Sequence, residues 1–426
     1  MAKLIILVLF YITFPLLIIQ MCKRWSICKK AGCIVLAYGF GLLLGNVGIL
    51  PKGSDSLRSY LHGEPSLPKA EIQMLISQGK IEESDYWANQ VASVQDSLTM
   101  LVALAFPLML FSLNIKRWLR YASKGFLSVI LALIAGPVMV TLGFLIFKNL
   151  IPEAWRMAGM FVGIYTGGTP NFIALSLALD VDANLFLVAS TYDIVVGAFL
   201  VLFFLTLAPK LFRLILPPFK YKGNETESDL VINETEDLED FSGMLQRKKI
   251  LPLLLALVLS IVICVISIGV GELLKKPLPN FPNMAVIILT ITTLGILASF
   301  IKRLNRIEKS FQLGMYLIII FSLAVSSMAD LRTMFNIGML NLILFITWVY
   351  FGSLLLHLIL AKIFRIDSDN FLITATAYIF SPPYVPLVAS ALKNKDVIVT
   401  GITGGIIGYV LGNYFGVMLA YFLKGF

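Results

Sequence analysis

Ten apolar runs, each near the length that carries an α-helix across a lipid bilayer, constrain this chain more than any other feature. They fall near residues 3–21, 31–50, 96–113, 125–147 and 185–208, and again near 250–270, 283–301, 311–328, 336–360 and 396–423. A helix rises about 1.5 Å per residue, so roughly 20 apolar residues cover the hydrocarbon layer. Within that layer every backbone N–H and C=O needs an internal partner, which leaves helices or a closed barrel. Long unbroken apolar runs, without the alternation of strands, select helices. The expected fold class is an all-α polytopic membrane protein embedded in the lipid bilayer.

Composition agrees and excludes other classes. Hydrophobic residues make up 58% of the chain and charged residues 14%, with a mean hydropathy of +0.88. The net charge of +9 resides in short loops beside apolar spans, so it reads as orientation in the membrane. With no soluble basic domain, no nucleic-acid partner is expected. Cys22, Cys28, Cys33 and Cys264 have no paired CxxC spacing and read as packing residues. His62 and His357 are the only histidines, too few for a histidine-built metal centre, and no cofactor is expected. The run at 3–21 lacks an A-x-A-like cleavage site and is followed by Lys23, Arg24, Lys29 and Lys30, so it reads as a retained first span.

Two further apolar stretches break themselves. Residues 157–179 contain Tyr165-Thr166-Gly167-Gly168-Thr169-Pro170-Asn171, and residues 371–392 contain Phe380-Ser381-Pro382-Pro383-Tyr384-Val385-Pro386. Aligning Pro170 with Pro383 also aligns Ala178-Leu179 with Ala391-Leu392. Matched breaks in two halves point to the binding site of a secondary transporter built from repeats. The expected organisation is a first repeat over 1–213, a polar cytoplasmic linker over 214–249 and a second repeat over 250–426.

Charge decides the topology of the first segment, and symmetry that of the second, where only Lys393, Lys395 and Lys424 change sides. If both broken segments are re-entrant and both termini lie outside, the basic loops 22–30, 116–124 and 302–309 and the linker all face the cytoplasm. If both segments cross, compact basic loops must be exported, against the positive-inside rule. The expectation is therefore five spans plus one re-entrant or broken helical hairpin, repeated with inverted orientation. A weak likeness between 111–117 and 326–332, each at the end of a third span, fits this plan. The expected location is the bacterial cytoplasmic (inner) membrane.

The breaks carry the chemistry. Thr169 and Ser381 suit helix N-caps, while Pro170, Pro382 and Pro383 suit a first helical turn. Gly167 and Gly168 admit backbone that other residues resist. Each tip is expected to present a helix N-terminus that attracts an anion, with nearby carbonyls for a cation. The expected substrate site comprises Thr166, Gly167, Gly168, Thr169, Pro170, Asn171, Ser381, Pro382, Pro383 and Tyr384. The bland alternative is a pair of proline kinks in packed helices. An ionisable residue inside a span is a candidate proton carrier or Na⁺ ligand, which singles out Asp193 with Ser190 and Thr191. Asn413 is its neutral counterpart after the second break, and Na⁺ is expected near Thr169 and Asp193. Gly404, Gly408, Gly412 and Gly416 form one smooth stripe, expected to receive the second hairpin.

Gly168-Thr169-Pro170-Asn171, Ser381-Pro382-Pro383 and Gly408-Tyr409 with Gly412-Asn413-Tyr414 resemble the YjcL-like family of bacterial and plastid membrane proteins over nearly the whole chain. Tyr384 departs from what that family more usually carries after its proline pair. The family resembles, at a distance, sodium/glutamate and citrate symporters and the cation/proton antiporter group. The resemblance implies alternating access, with a transport unit carrying both hairpins against a scaffold that often dimerises. The expected function is Na⁺- or H⁺-coupled transport of a small organic anion or amino-acid-like solute. The alternatives are a channel or a non-transporting membrane protein. An intramembrane enzyme is disfavoured by the absence of paired carboxylates and the scarcity of histidine.

Overall fold

The computed structural model describes residues 2–25, 28, 32–61, 66–111, 125–219, 240–244, 246–275, 277, 283–328, 340–394 and 396–426. All regular structure among them is helical: α1 Ala2–Arg24, α2 Cys33–Asn46, α3 Asp55–Leu61, α4 Lys69–Ser77, α5 Ser84–Met100 and α6 Ala105–Phe111. Then come α7 Phe126–Phe147, α8 Ala154–Ala178, α9 Ala183–Thr206, α10 Ala208–Ile215, α11 Arg247–Leu274 and α12 Asn283–Ser299. The last six are α13 Lys302–Asn305, α14 Ser310–Met328, α15 Leu340–Ile363, α16 Ser368–Ile379, α17 Val385–Leu392 and α18 Ile398–Leu423. Short 3₁₀ turns cover Leu101–Leu104 and Pro382–Tyr384.

Every expected span coincides with a helix. Among the described residues eight are long and apolar enough to cross a membrane: α1, the run α5–α6, α7, α9, α11, α14, α15 and α18. The other two, α2 and α12, have 14 and 17 residues. The third span begins at Ser84, well before the expected residue 96, because its polar residues Asp85, Asn89 and Gln95 are turned inward and buried. The basic loop 116–124, most of the linker, and most of the pair 111–117 and 326–332 lie outside the described residues.

Helix α11 illustrates why the fold needs lipid. Its buried stripe is Ala256, Ser260, Cys264, Ser267 and Gly271 with Leu253 and Ile263, whereas Leu251, Leu254, Leu255, Val258 and Val265 are exposed. The bulkiest apolar groups face outward and small ones face the protein, as helix packing within a bilayer favours. This is an integral membrane protein in contact with the lipid bilayer.

The chain divides into two compact units. The first comprises Met1–Ala105, Asp182–Val188 and Gly314–Asn336. Its centre is a buried triad: Tyr11 Oη lies 2.6 Å from Ser327 Oγ, and Gln95 Nε2 donates to both, at 2.9 and 2.8 Å. Gly41 and Gly45 let α2 lie directly on α14; a Cβ on Gly45 would strike the Ser327 carbonyl. Outside the apolar runs, Leu57, Leu67, Ile72, Leu75 and Ile81 close a small core of their own. Two inward side chains of α5 tether that cap. Asp85 accepts from Ser54 N–H and Oγ, both at 2.8 Å, and from Glu82 N–H at 3.0 Å. Asn89 pairs with both backbone polar groups of Leu67.

The second unit comprises Phe106–Val181, Ala189–Leu313 and Ile337–Phe426 and holds both broken segments. Where its chain re-emerges from the linker, bonds from Ser242 and then Lys309 hold the Asp240 carboxyl down at about 2.

Asp85 is 1% exposed, and Asp85→Ala removes the shared acceptor of three part-buried donors, a loss of about 1 kcal/mol for each hydrogen bond. The expected outcome is faster proteolytic cleavage within 51–83 in the purified protein, with the exposed control Glu83→Ala unchanged. Equal cleavage of both variants would remove Asp85 from this role.

Candidate functional site: two folded-back segments and a pocket

Helix α8 runs regularly to Gly167 and leaves the helical path at Gly168, where φ is 65° and ψ is −158°. The chain then doubles back. The rings of Phe161 and Phe172 lie 5.6 Å apart. A Cβ on Gly163 would sit 3.2 Å from the Asn171 carbonyl oxygen, and one on Gly159 would sit 2.8 Å from the Leu179 side chain. In an unbroken helix residues 159 and 179 would stand about 30 Å apart. Pro170 sits where a missing N–H is harmless, just after the break, so the second arm restarts cleanly.

The second segment repeats the plan. Helix α16 starts on Asp367, whose carboxylate caps Asn370 N–H at 2.8 Å, and breaks at Ser381, with φ 78° and ψ 163°. The 3₁₀ turn and α17 then return. Asn394 Nδ2 donates to Asp369 Oδ2 at 2.9 Å, although those residues would be roughly 37 Å apart along one helix. Arg213 on α10 reaches both ends, donating to the Leu392 carbonyl at 3.0 Å and lying 3.4 Å from Asp369 Oδ1.

The alignment of Pro170 with Pro383 is also geometric. It pairs Gly168 with Ser381, both in extended positive-φ backbone that only glycine adopts comfortably. It pairs Asp180 with Lys393, at φ 52° and 57°, where each second arm ends. It pairs Tyr165 with Tyr378, whose rings stack 5.9 Å apart at 18°. The two tips touch: a Cβ added to Gly168 would collide with Ser381 Oγ.

Helix α18 packs against both hairpins through glycine. Gly408 lies on the Thr166 carbonyl, Gly412 on the side chains of Thr166 and Asn171, and Gly416 on Leu175 and the Gly159 carbonyl. The stripe was expected to receive the second hairpin. It mainly receives the first; the second meets the neighbouring row, with Gly401 on Ile373 and Val385 and Gly405 on Pro382. The first hairpin presents the smaller surface, a run of glycines and a short threonine, and so takes the deeper groove.

The residues named from sequence divide into three sets. Thr166, Gly167, Gly168, Pro170, Asn171 and Pro382 are buried at the junction of tips and α18, while Thr169, Ser381 and Tyr384 are half-buried. Of the Pro383 side chain nothing is described. Thr166 Oγ1 donates within its own helix to the Val162 carbonyl at 2.8 Å, while Asn171 Nδ2 donates across to the Gly408 carbonyl at 3.1 Å and locks the junction. The expected cap at Ser381 is not made: its side chain forms no capping bond, because the positive φ swings the hydroxyl onto Gly168. In the third set, Ser190 is buried and Thr191 and Asp193 are half-buried on α9. The Asp193 carboxylate accepts a hydrogen bond from Tyr350 Oη on α15, a partner the sequence reading did not find.

Beside the first tip a small pocket of about 20 Å³, on the scale of a single water, is lined by Phe106, Met109, Leu110, Phe311, Pro170, Asn171, Tyr409 and Asn413. Asn413 is 3% exposed; its Nδ2 donates to Thr292 Oγ1 at 3.1 Å, and its Oδ1 has no partner. A buried acceptor without a partner calls for a water or a ligand group. The pocket is mostly apolar, with the amides of Asn171 and Asn413 converging on it.

A polytopic helical membrane protein with two broken, folded-back segments meeting tip to tip is the class these features define. Within it, the chain belongs to the family described as Protein of unknown function (DUF819), whose model matches residues 81–426. It is similar to the "Uncharacterized membrane protein YjcL" of Bacillus subtilis (strain 168), with 25% identity over 341 residues, covering 76% of this chain and 82% of that protein.

The tips respond oppositely to small changes. Gly168→Ala adds a Cβ at positive φ against Ser381 and is expected to lower the unfolding temperature in detergent. Ser381→Gly removes backbone strain of about 1–3 kcal/mol and is expected to match or exceed wild type. Thermal unfolding of both variants checks this, and a clear loss in Ser381→Gly would contradict the backbone assignment.

Proposed function

We propose that this protein is a secondary active transporter, coupled to H⁺ or Na⁺, that moves a small organic anion or amino-acid-like solute by alternating access of an elevator-like kind. One observation carries the reading: two broken hairpins meet at their tips beside a pocket with an unpaired buried acceptor. Irregular backbone at membrane depth is tolerated where it is buried in protein or lines a cavity, and transporters use such breaks to handle solutes and ions. The matched pairs Gly168 with Ser381 and Tyr165 with Tyr378 support two inverted repeats, with both hairpins re-entrant.

In this reading Thr169, Asn171, Ser381 and Tyr384 surround the solute, and Asn413 and the tip backbone complete its polar contacts. Asp193, with Ser190 and Thr191 on the same helix, carries the coupling ion. An ionised carboxylate is costly at membrane depth, so binding of H⁺ or Na⁺ there changes which orientation of the transport unit is favoured. The protein resides in the bacterial cytoplasmic membrane with both termini outside, and its scaffold supports a homodimer.

A thermal-shift screen of purified protein against small organic acids and amino acids, with and without Na⁺, identifies the solute, because a ligand of the folded form raises apparent stability. In proteoliposomes wild type is then expected to concentrate that solute on an ion gradient and to show saturable counterflow, which a channel lacks. Asp193→Asn keeps the size and hydrogen bonding but not the charge, so it should lose uphill accumulation and retain counterflow. Accumulation equal to wild type in Asp193→Asn would assign coupling elsewhere.

Topology has its own check. In a background lacking the four native cysteines, a cysteine at Asn184 should react with an impermeant thiol reagent on intact cells, and one at Ser228 should not. Labelling of both from one side would rule out the re-entrant arrangement of the first hairpin.

A further inference from the structure

Helix α15 buries one stripe, and three proton-bearing side chains recur along it: Tyr350, Ser353 and His357. Their spacing of three and then four residues places them on one face, with about 10 Å of rise between the first and the last. Tyr350 Oη donates to the Asp193 carboxylate. At the other end His357 Nε2 lies 3.2 Å from Ser128 Oγ on α7, and Ser128 Oγ lies 2.7 Å from Thr374 Oγ1 on α16. Between them are two buried polar atoms without a partner, Ser353 Oγ and His357 Nδ1, one helical turn apart. Both Ser353 and His357 are fully buried. A histidine held only for packing would have both ring nitrogens satisfied or one in solvent; this one is bonded on one side and orphaned on the other.

We infer that Asp193, Tyr350, Ser353, His357, Ser128 and Thr374 form a proton path through the second unit, with waters joining Ser353 Oγ to His357 Nδ1 on one side and to Tyr350 Oη on the other. The inference rests on the reading of Asp193 as the residue that takes the coupling proton. Water bridges orphaned buried groups of this kind routinely. Every member both gives and accepts a proton. An O–H bond breaks at the Ser128–Thr374 pair as an N–H forms at His357 Nε2, the incoming proton restores that O–H, and the Nδ1 proton leaves to the water. That water passes a proton to Ser353 Oγ, whose own proton goes through a second water to Tyr350 Oη, and the tyrosine proton goes to Asp193. One proton enters, one carboxylate is neutralised, and each relay group ends with the proton count it began with. The outer end lies about two turns from Asp367 and Asp369 at the mouth of the second hairpin.

Other titratable groups on the elements packed around α15 are few. Helix α7 carries none, α16 carries Asp369 and Tyr378, α8 carries Arg156 and Tyr165, and α9 adds Tyr192. Tyr165 Oη is bonded to the Ala132 carbonyl, and Asp369 is tied to Arg213 and Asn394.

The test separates the rate of proton delivery from the affinity for it. Full-length protein in vesicles is given a pH jump, and protonation of Asp193 is followed by infrared absorption of its carboxyl C=O, assigned by its loss in Asp193→Asn. His357→Phe and Ser353→Ala are expected to slow protonation by about tenfold or more, while the equilibrium titration of Asp193 stays at the wild-type position. Ser353→Thr keeps the hydroxyl and should restore the rate. Should His357→Phe fail to fold, Ser353→Ala and Ser128→Ala decide. Wild-type rates in the folded variants overturn the path. An Asp193 band that never responds to pH also overturns it; persisting solute counterflow in that case leaves the transporter reading standing with Na⁺ as the coupling ion.

Discussion

Backbone that leaves the helix in a protein interior has little water to turn to, and the contact between Gly168 and Ser381 is where this protein meets that constraint. Both residues hold extended backbone at positive φ, a conformation that costs about 1–3 kcal/mol for a residue with a side chain. It persists because the surroundings fix it from several sides. Each tip abuts the other, Asn171 spends its amide on the Gly408 carbonyl, and Pro382 lies on Gly405. Remove the glycine rows of α18 and neither tip could be buried. The fold of the second unit thus follows from covering two short stretches of irregular chain.

That need explains the distribution of small residues better than composition does. Gly401, Gly405, Gly408, Gly412 and Gly416 are buried on α18, and Gly159 and Gly163 are buried on α8. Large apolar side chains are spent on the lipid side of α11, where they do no interhelical packing. In water the arrangement would be reversed, since burial of large side chains drives folding there. In lipid, close approach and satisfied polar groups matter more.

Much of this was legible in the chain. Apolar run length located the eight described helices long and apolar enough to cross a membrane, because that length is set by bilayer thickness and needs no partner. The breaks were legible because glycine and proline act locally, on their own φ and N–H. Pairings across long separations were not. Asp193 stood out as a charge in an apolar run, but nothing local ties it to Tyr350, 157 residues away. Asn171 looked available for a ligand, and its engagement with α18 depends on a glycine 237 residues further on. Ser381 has the composition of a cap and a backbone that forbids it. The cap over 51–83 escaped notice because its helices have seven and nine residues, too short for periodicity to register.

Arg213 has a mechanical consequence. A single guanidinium binds the Leu392 carbonyl where the second hairpin ends and lies beside Asp369 where it begins. The hairpin therefore has no loose leg. A push on α10 reaches both arms together, so the arms resist scissoring and the loop is displaced as one rigid strut.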